Sequence, residues 1–254
     1  MIRPRIIPVL LLKDQFLVKT IQFKKPNYIG DPINSVRIFN DLEADEIVFL
    51  DINATRENRL IDLDFVRNVG EEANMPFSVG GGIKKLEDVR QIIAAGAERV
   101  VIGTYAFQNP EFIKEASEEF GTSTISVCID YKKNIFGKNR VHLKNGVSST
   151  KYTPADFAKL MQEKGAGELI LQSIKNDGMM SGYDIEMAYE ISNSVHIPVI
   201  ALGGAKNQAN LKKCYFDGYV NGVAAGSLFV YQGVHKGVLI NYPENKTSIF
   251  KNQK

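Results

Sequence analysis

The sequence lacks the features that mark disulfide-rich and metal-binding proteins. It has only two cysteines in 254 residues, Cys128 and Cys214, which stand far apart and without metal-ligand spacing. Such scarcity is typical of a protein kept in a reducing compartment. The three histidines, His142, His196 and His235, are scattered and form no metal-binding pattern. We therefore expect no metal site, and nothing in the sequence points to another cofactor.

Long apolar runs and a strong net charge are also missing. The first five residues lack the apolar segment of a signal peptide, and no apolar run approaches the ~20 residues that span a bilayer. With 31 Lys and Arg against 29 Asp and Glu, the net charge is +2, which implies no general polyanion-binding surface. We expect a cytoplasmic globular protein that binds neither nucleic acid nor membrane.

A short glycine-rich stretch occurs twice in the chain. Residues 77–83 read FSVGGGI, in which an apolar run ends at three glycines. Glycine lets backbone N–H groups approach a ligand closely, and a helical pattern follows from residue 86, so these groups lie near a helix N-terminus, where anions bind. The stretch predicts a phosphate site, with a purely steric turn as the alternative. Residues 199–205, VIALGGA, repeat it in the second half.

Apolar runs alternate with helical segments along the whole chain. Eight runs rich in Val, Ile and Leu have the composition of buried parallel strands: residues 6–12, 46–51, 77–79, 100–103, 124–130, 169–174, 199–201 and 222–225. Seven helical segments lie between them: residues 32–42, 63–73, 86–95, 110–119, 154–164, 185–193 and 208–216. This order predicts an α/β fold, one (β/α)8 TIM barrel over residues 1–254.

The ends of the pattern are less regular. An eighth helix has little support, and residues from about 244 to 254 read as a polar tail. Residues 144–146, KNG, predict the turn of a short hairpin after the fifth strand.

A nearly constant offset relates the two halves of the chain. Residues 81–82 match 203–204 at a spacing of about 122, and 103–104 match 226–227 at about 123. The offset predicts two half-barrels of four strands each, with both glycine turns at the carboxyl ends of strands, where barrel active sites lie. We expect two phosphate cradles on opposite sides of the mouth, formed by Gly82 and Thr104, and by Gly204, Gly226 and Ser227.

Longer motifs add a family resemblance. They read RIIP at 5–8, DEIVFLDI at 45–52, PFSVGGGI at 76–83, GAGE at 165–168, SI at 173–174, DG at 177–178 and SGYD at 181–184. Over nearly its whole length the chain thereby resembles the cyclase subunit of imidazole glycerol phosphate synthase, a histidine-biosynthesis enzyme. Lys19 and Phe23 match the family's long mobile loop after the first strand. The resemblance also implies that Asp177 and Gly178 belong to the phosphate site.

The resemblance implies a glutaminase subunit that docks under the barrel as a heterodimer. Ammonia then passes through the barrel to a doubly phosphorylated small molecule at the top. Four charged residues at the N-terminal ends of strands match the family's gate at the ammonia entrance: Arg5, Glu46, Arg99 and Glu168. The family usually has Lys at the position of Arg99. A salt-bridge ring that only stabilises the bottom face is the alternative, although inward charges are costly to bury unless paired.

The expected catalytic residues depart from the family pattern. The family uses two carboxylates as general acid and base, because protons are delivered and removed on different faces of the substrate. Asp130 matches the carboxylate on the fifth strand, but Leu11 occupies the first-strand position and cannot transfer a proton. Asp14 would need a register shift to substitute. A tolerated change in a still-active enzyme is the alternative. Further departures stand nearby, at Gly103, Gln172 and Leu202.

Three functions therefore remain open. The first is a diverged synthase subunit, similar to copies found in surface-polysaccharide (lipopolysaccharide) gene sets. There the ammonia goes to a third protein that converts a sugar N-acetyl group to an amidine. The second is the ordinary lyase of histidine biosynthesis, which makes imidazole glycerol phosphate and AICAR. The third is a non-catalytic barrel that only binds and activates the glutaminase. Leu11 separates the second function from the other two, but it does not separate the first from the third.

Overall fold

Eight parallel strands, apolar on both faces, close into a barrel. The computed structural model describes residues 3–233 and 235–251. The barrel strands are β1 Arg5–Lys13, β2 Ile47–Asp51, β3 Phe77–Gly80, β4 Arg99–Ile102, β5 Ile125–Lys133, β6 Glu168–Ser173, β7 Val199–Leu202 and β8 Gly222–Ala225. Each strand pairs in parallel with the next, and β8 pairs with β1. The ring confirms the predicted TIM barrel.

Seven helices cover the outside of the barrel. They are α1 Pro32–Asp41, α2 Leu63–Glu72, α3 Leu86–Ala94, α4 Glu111–Phe120, α5 Pro154–Glu163, α6 Ile185–Ser194 and α7 Gln208–Gly218. Asp31, Asp62 and Asp184 cap three of them by accepting hydrogen bonds from first-turn amides. After β8 the described residues form two short helices, Ser227–Val230 and Lys246–Ile249, and no long eighth helix. A matching short helix, Thr104–Gln108, follows β4.

Side chains alternate between two cores along each strand. Ile7 and Val9 face the barrel interior, where they pack with residues such as Val48 and Ile170. Ile6 and Leu10 face outward into the larger core between the strands and the helices. Because successive side chains on a strand point to opposite faces, this alternation fixes which residues reach the bottom and the mouth of the barrel.

Two antiparallel hairpins extend β1 and β5 above the barrel. These two strands have nine residues each, whereas the other six have four to six. Past the barrel, β1 pairs with Phe16–Ile21, which pairs in turn with Lys24–Gly30. The sequence resemblance treated this segment as a loop; it forms a hairpin because the end of β1 offers a free edge for pairing.

The hairpin after β5 follows the predicted turn. Asn139–Leu143 pairs with the end of β5 on one side and with Ser148–Ser149 on the other. Between the two strands, Lys144, Asn145 and Gly146 have φ angles of 52°, 57° and 77°. The KNG turn is confirmed, since Asn and Gly accept this left-handed conformation more readily than other residues.

The C-terminal segment returns to the bottom of the barrel. The hydroxyl of Tyr242 donates to the Ile6 carbonyl at 2.8 Å and accepts from the Asp45 amide at 3.1 Å. A short helix, Lys246–Ile249, follows, and Ile249 and Phe250 are buried. This part of the expected polar tail therefore packs against the barrel, while residues 252–254 lie outside the described residues. Across the described ranges, no helix combines the length and apolarity needed to cross a bilayer.

Candidate functional site

The carboxyl ends of the barrel strands surround an open mouth. Small or missing side chains at the strand ends, such as Gly80 and Gly103, leave space there for a ligand. The cavity also receives Lys19 and Phe23 from the hairpin after β1 and Asn145 from the hairpin after β5. Segments far apart in sequence thus enclose one chamber.

The first glycine turn lies on one side of this chamber. Gly81 and Gly82 have φ angles of 144° and 72°, and a Cβ on Gly82 would fall 1.8 Å from the Arg59 carbonyl oxygen. Glycine is therefore required sterically, whether or not an anion binds. Gly82 and Thr104 line the same cavity, as expected for one cradle. The Thr104 hydroxyl accepts a hydrogen bond from the Lys144 amide at 3.1 Å, which ties the second hairpin to this cradle.

The second cradle is a small pocket on the opposite side. Its lining brings together all the residues expected there, Asp177, Gly178, Gly204, Gly226 and Ser227, and adds Lys19. The Ser227 hydroxyl is buried and has no hydrogen-bond partner among the described residues. A buried, unpaired hydroxyl is unusual, and this one belongs to a pocket lined by several glycines. It is therefore available to donate a hydrogen bond to a ligand in that pocket.

The Asp177 carboxylate holds the first hairpin in place. It accepts hydrogen bonds from the Lys19 ammonium at 3.0 Å, the Thr20 hydroxyl at 2.8 Å and the Phe23 amide at 3.2 Å. Lys19 and Asp177 are both buried. The sequence placed Asp177 near the phosphate and Lys19 on a loop; their direct pairing was missed because the two residues lie 158 positions apart.

Asp130 is the one carboxylate lining the mouth, among the described residues, that forms no ion pair. Asp51 pairs with Arg59 at 2.6 Å and Asp177 pairs with Lys19. Burial at the end of β5 raises the pKa of Asp130 to about 7, and the Asp177 charge adds to this. The Cys128 thiol, 3.5 Å from the carboxylate, opposes the rise by hydrogen bonding. Asp130 can therefore hold or release a proton near neutral pH.

Leu11 lines the same cavity from β1, opposite the strand that carries Asp130. Its side chain offers no proton. Asp14 does not substitute, because it lies in the turn beyond β1 with a φ of 51°, is exposed and faces Lys13 at 3.9 Å. The other departures also line the mouth: Gly103, Gln172 and Leu202. The changes at the strand ends thus surround a single cavity.

The four charged residues at the bottom form one continuous network. Arg5 pairs with both Glu46 and Glu168, and Arg99 pairs with Glu46 at 3.2 Å. Ser78 donates to Glu46 at 3.0 Å, and Ser126 donates to Glu168 at 3.3 Å. Burial raises the pKa of Glu168, and the Arg5 charge opposes this rise. The sequence missed the two serines, although Ser78 and Ser126 each lie two residues before a residue that lines the mouth, Gly80 and Cys128, and so face the same interior.

In the part of the chain that the structure describes, no three His, Cys, Asp or Glu side chains lie close enough together to hold a metal ion.

The raised pKa of Asp130 predicts a pH-dependent effect on stability. Folding raises this pKa from the ordinary 3.8 to about 7. Between these two pH values Asp130 is ionised in the unfolded chain but protonated in the folded protein. The free energy of unfolding therefore falls as the pH rises from 3.8 to about 7. We expect Asp130→Asn to have the melting temperature of the unmodified protein near pH 4 and a higher one at pH 8. The control is Asp14→Asn at the exposed turn, which should show no such divergence. Parallel curves for Asp130→Asn and the unmodified protein would contradict the assigned environment.

Comparisons with known proteins agree with this geometry. A family model described as histidine biosynthesis protein matches residues 5–236. A Leptospira interrogans protein, named provisionally as imidazole glycerol phosphate synthase subunit HisF, is 44% identical over 253 residues, covering 98% of this chain and 100% of that protein. A Pseudomonas aeruginosa protein, named provisionally as subunit hisF2, is 43% identical over 250 residues, with coverage of 98% and 100%.

A relative without a provisional name shows the same extent of similarity. The imidazole glycerol phosphate synthase subunit HisF of Alkaliphilus metalliredigens is 41% identical over 234 residues, which cover 92% of this chain and 93% of that protein. Together with the family match over the barrel, these similarities show that the chain is a HisF-like protein that belongs to the histidine biosynthesis protein family.

Proposed function

We propose that this chain is a HisF-like subunit that receives ammonia from a glutaminase partner but does not catalyse the histidine-pathway cyclisation. The observation that carries the proposal is Leu11, which takes the place of a proton-transfer group while the charged network at the bottom stays complete. Buried glutamates are costly unless paired, and both keep their arginine partners on the face where the glutaminase would dock.

The barrel interior supports passage of ammonia from bottom to top. Above the charged network, the inward-facing side chains are apolar, including Val48, Val101, Ile170 and Ile200. An ammonium ion would lose its hydration there at a high cost, whereas neutral ammonia would not. We therefore propose that the gate, formed by Arg5, Glu46, Arg99 and Glu168, admits ammonia released by a glutaminase docked underneath.

The mouth supports binding of a phosphorylated small molecule. One cradle offers the amides around Gly82 and Thr104, and the other offers Gly178, Gly204 and Gly226 with the unpaired hydroxyl of Ser227. With Asp51 and Asp177 already paired, Asp130 is left to move one proton. A reaction that needs protons moved on two faces of its substrate lacks its second group here.

The destination of the ammonia is a further part of the proposal. Two similar proteins are named provisionally as subunits hisF2 and hisF3, from Pseudomonas aeruginosa and Vibrio vulnificus, the latter 41% identical over 96% of this chain. Such numbered names are consistent with additional gene copies that no longer act in histidine synthesis. We propose that the ammonia serves a third protein that amidates a surface-polysaccharide sugar. The genes beside this one test this part: sugar-modifying genes with a glutaminase support it, and a histidine operon contradicts it.

Two other functions are distinguished by measurement. A histidine-pathway lyase would turn over the bisphosphate intermediate in spite of Leu11. A non-catalytic barrel would raise glutamine hydrolysis in its partner while passing no ammonia through its interior. The intact apolar interior above the gate favours passage over activation alone.

The gate predicts a stable complex with the glutaminase encoded nearest to this chain. We expect the two proteins to co-elute at micromolar concentration, with glutamine hydrolysis raised on mixing. Arg5→Ala should abolish the increase, because it leaves two buried glutamates without their shared partner. The matched control is Arg37→Ala, which removes an exposed ion pair with Glu72 on the helices. Separate elution with unchanged hydrolysis would rule out the gate.

Leu11 predicts that the unmodified protein does not convert the histidine-pathway bisphosphate intermediate, even with excess ammonium salt. Leu11→Asp should restore slight turnover by placing a second carboxylate opposite Asp130. Its control is Leu11→Asn, because asparagine has nearly the same shape as aspartate but its carboxamide does not act as a general acid or base. The assay follows loss of substrate absorbance at high pH. If the unmodified protein turned over the intermediate at a rate on the order of 1 s⁻¹, the chain would be the lyase of histidine biosynthesis and the proposal would be wrong.

Ser227 predicts an unusual combination of effects on binding and stability. Its hydroxyl is buried without a partner, so Ser227→Ala should keep or raise the melting temperature while weakening inorganic phosphate binding several-fold by calorimetry. Ser192→Ala is the control, because the Ser192 hydroxyl on α6 is also buried and unpaired but lies away from the mouth. If the unmodified protein and the two variants bound phosphate with equal affinity, Ser227 would not be part of the phosphate site.

A further inference from the structure

The two hairpins at the mouth carry an exposed apolar surface. We define the β1 hairpin as residues 15–30 and the β5 hairpin as residues 131–151. Of the twelve large hydrophobic side chains exposed in the described residues, six lie on these hairpins: Phe16, Ile21, Tyr28, Ile135, Phe136 and Val147. Exposed apolar residues that cluster around an opening mark interaction sites more often than scattered ones do.

Two of these side chains, at the tip of the β5 hairpin, have no structural role in their turn. Ile135 is 92% exposed and Phe136 is 78% exposed. Asn134 and Gly137 form the turn instead. The Asn134 carboxamide oxygen accepts hydrogen bonds from the Phe136 and Lys138 amides at 3.0 Å, and Gly137 takes the positive φ of 74°. The turn does not require apolar side chains at these two positions. Their apolar character therefore indicates contact with another molecule.

The β1 hairpin presents a comparable feature on its own strands. The rings of Phe16 and Tyr28 pack edge to face with centroids 5.7 Å apart, yet the side chains remain 52% and 65% exposed. Aromatic side chains held rigidly by a neighbour lose little entropy when a partner covers them, which is why they are enriched at the centres of protein interfaces.

Charge is segregated onto the same two hairpins. Together they carry nine of the 31 Lys and Arg residues and none of the 29 Asp and Glu residues, which leaves 22 basic and 29 acidic residues in the rest of the chain. Lys19 is neutralised by Asp177, but six others are exposed: Lys24, Lys25, Lys133, Lys138, Lys144 and Lys151. A surface that carries charge of one sign attracts a partner whose surface carries the opposite charge, and it disfavours partners of like charge.

The two hairpins meet over the mouth and form one surface. A Cβ on Gly146 would lie 3.5 Å from the Phe23 ring. The Asn145 carboxamide donates to the Ile52 carbonyl at 2.6 Å, which anchors the β5 hairpin to the rim. A molecule that bound both hairpins would therefore cover the outlet of the barrel.

We propose that the β1 and β5 hairpins form the docking surface for an acidic protein that covers the barrel mouth. This inference rests on the proposed function, in which ammonia arrives at the mouth, so the docked protein is the enzyme that consumes it. A protein fits better than a membrane, because the hairpins that carry the apolar side chains also line an opening that contains Asp51, Asp130 and Asp177. A bilayer over that opening would leave charged groups poorly hydrated.

The test uses the full chain in complex with its glutaminase. The probes are the ammonia-consuming enzymes encoded beside this chain, each titrated onto the complex by calorimetry. We expect one of them to bind, and Ile135→Ser with Phe136→Ser to weaken its binding by about 10-fold or more. Raising the salt from about 50 to about 300 mM should weaken it further. The matched control is Tyr189→Ser with Tyr219→Ser, another exposed and contacting pair, on α6 and directly after α7, which should not change binding.

Glutamine hydrolysis by the complex separates the two proposals. If hydrolysis is raised in every variant, the bottom interface is intact, and a failure of binding concerns the hairpins alone. The docking proposal is overturned if none of the neighbouring enzymes binds, or if the control pair weakens binding as much as the tip pair. It is also overturned if the chain sediments with vesicles of about 30% phosphatidylserine and loses this property in the tip variant, since the occupant would then be a membrane.

Discussion

Closure of eight strands into a ring is the constraint on which the other features depend. In a closed barrel every second side chain of each strand must point inward, and the inward positions stack in layers. Here the bottom layer is charged, the layers above it are apolar, and the uppermost layer opens at the mouth. The charged network, the apolar interior and the mouth are therefore successive layers of one alternating pattern, and a one-residue slip in any strand would disorder all three.

The barrel could be predicted from the sequence because each signal was local or repeated. Strand composition, helix spacing and the matched glycine turns are read within short windows, and the KNG turn needs only three residues. The ends of the strands were predicted less accurately. β5 runs to Lys133 rather than to residue 130, because its last three residues pair with Asn139–Leu143. The β1 hairpin was not predicted from composition, since its pairing depends on the free edge of another strand.

The candidate residues could be named from the sequence, but their pairing could not. Asp130, Leu11 and the cradle residues were named from motifs, and in the structure they lie around one mouth, while their roles stay a prediction. The Lys19–Asp177 ion pair and the serine contacts of the charged network join positions that are distant in sequence. The pKa of Asp130 could not be read from the sequence either, because it depends on how strands β1 to β8 bury the carboxylate and on the Cys128 thiol beside it.

The pairing of Lys19 with Asp177 also couples two parts of the molecule. Both residues line the second cradle, and the same carboxylate accepts hydrogen bonds from Thr20 and Phe23 of the β1 hairpin. The β5 hairpin in turn contacts the β1 hairpin at Gly146. A substitution at Asp177 therefore changes the lining of the cradle and the support of both hairpins at once, so its effect cannot be assigned to either part alone.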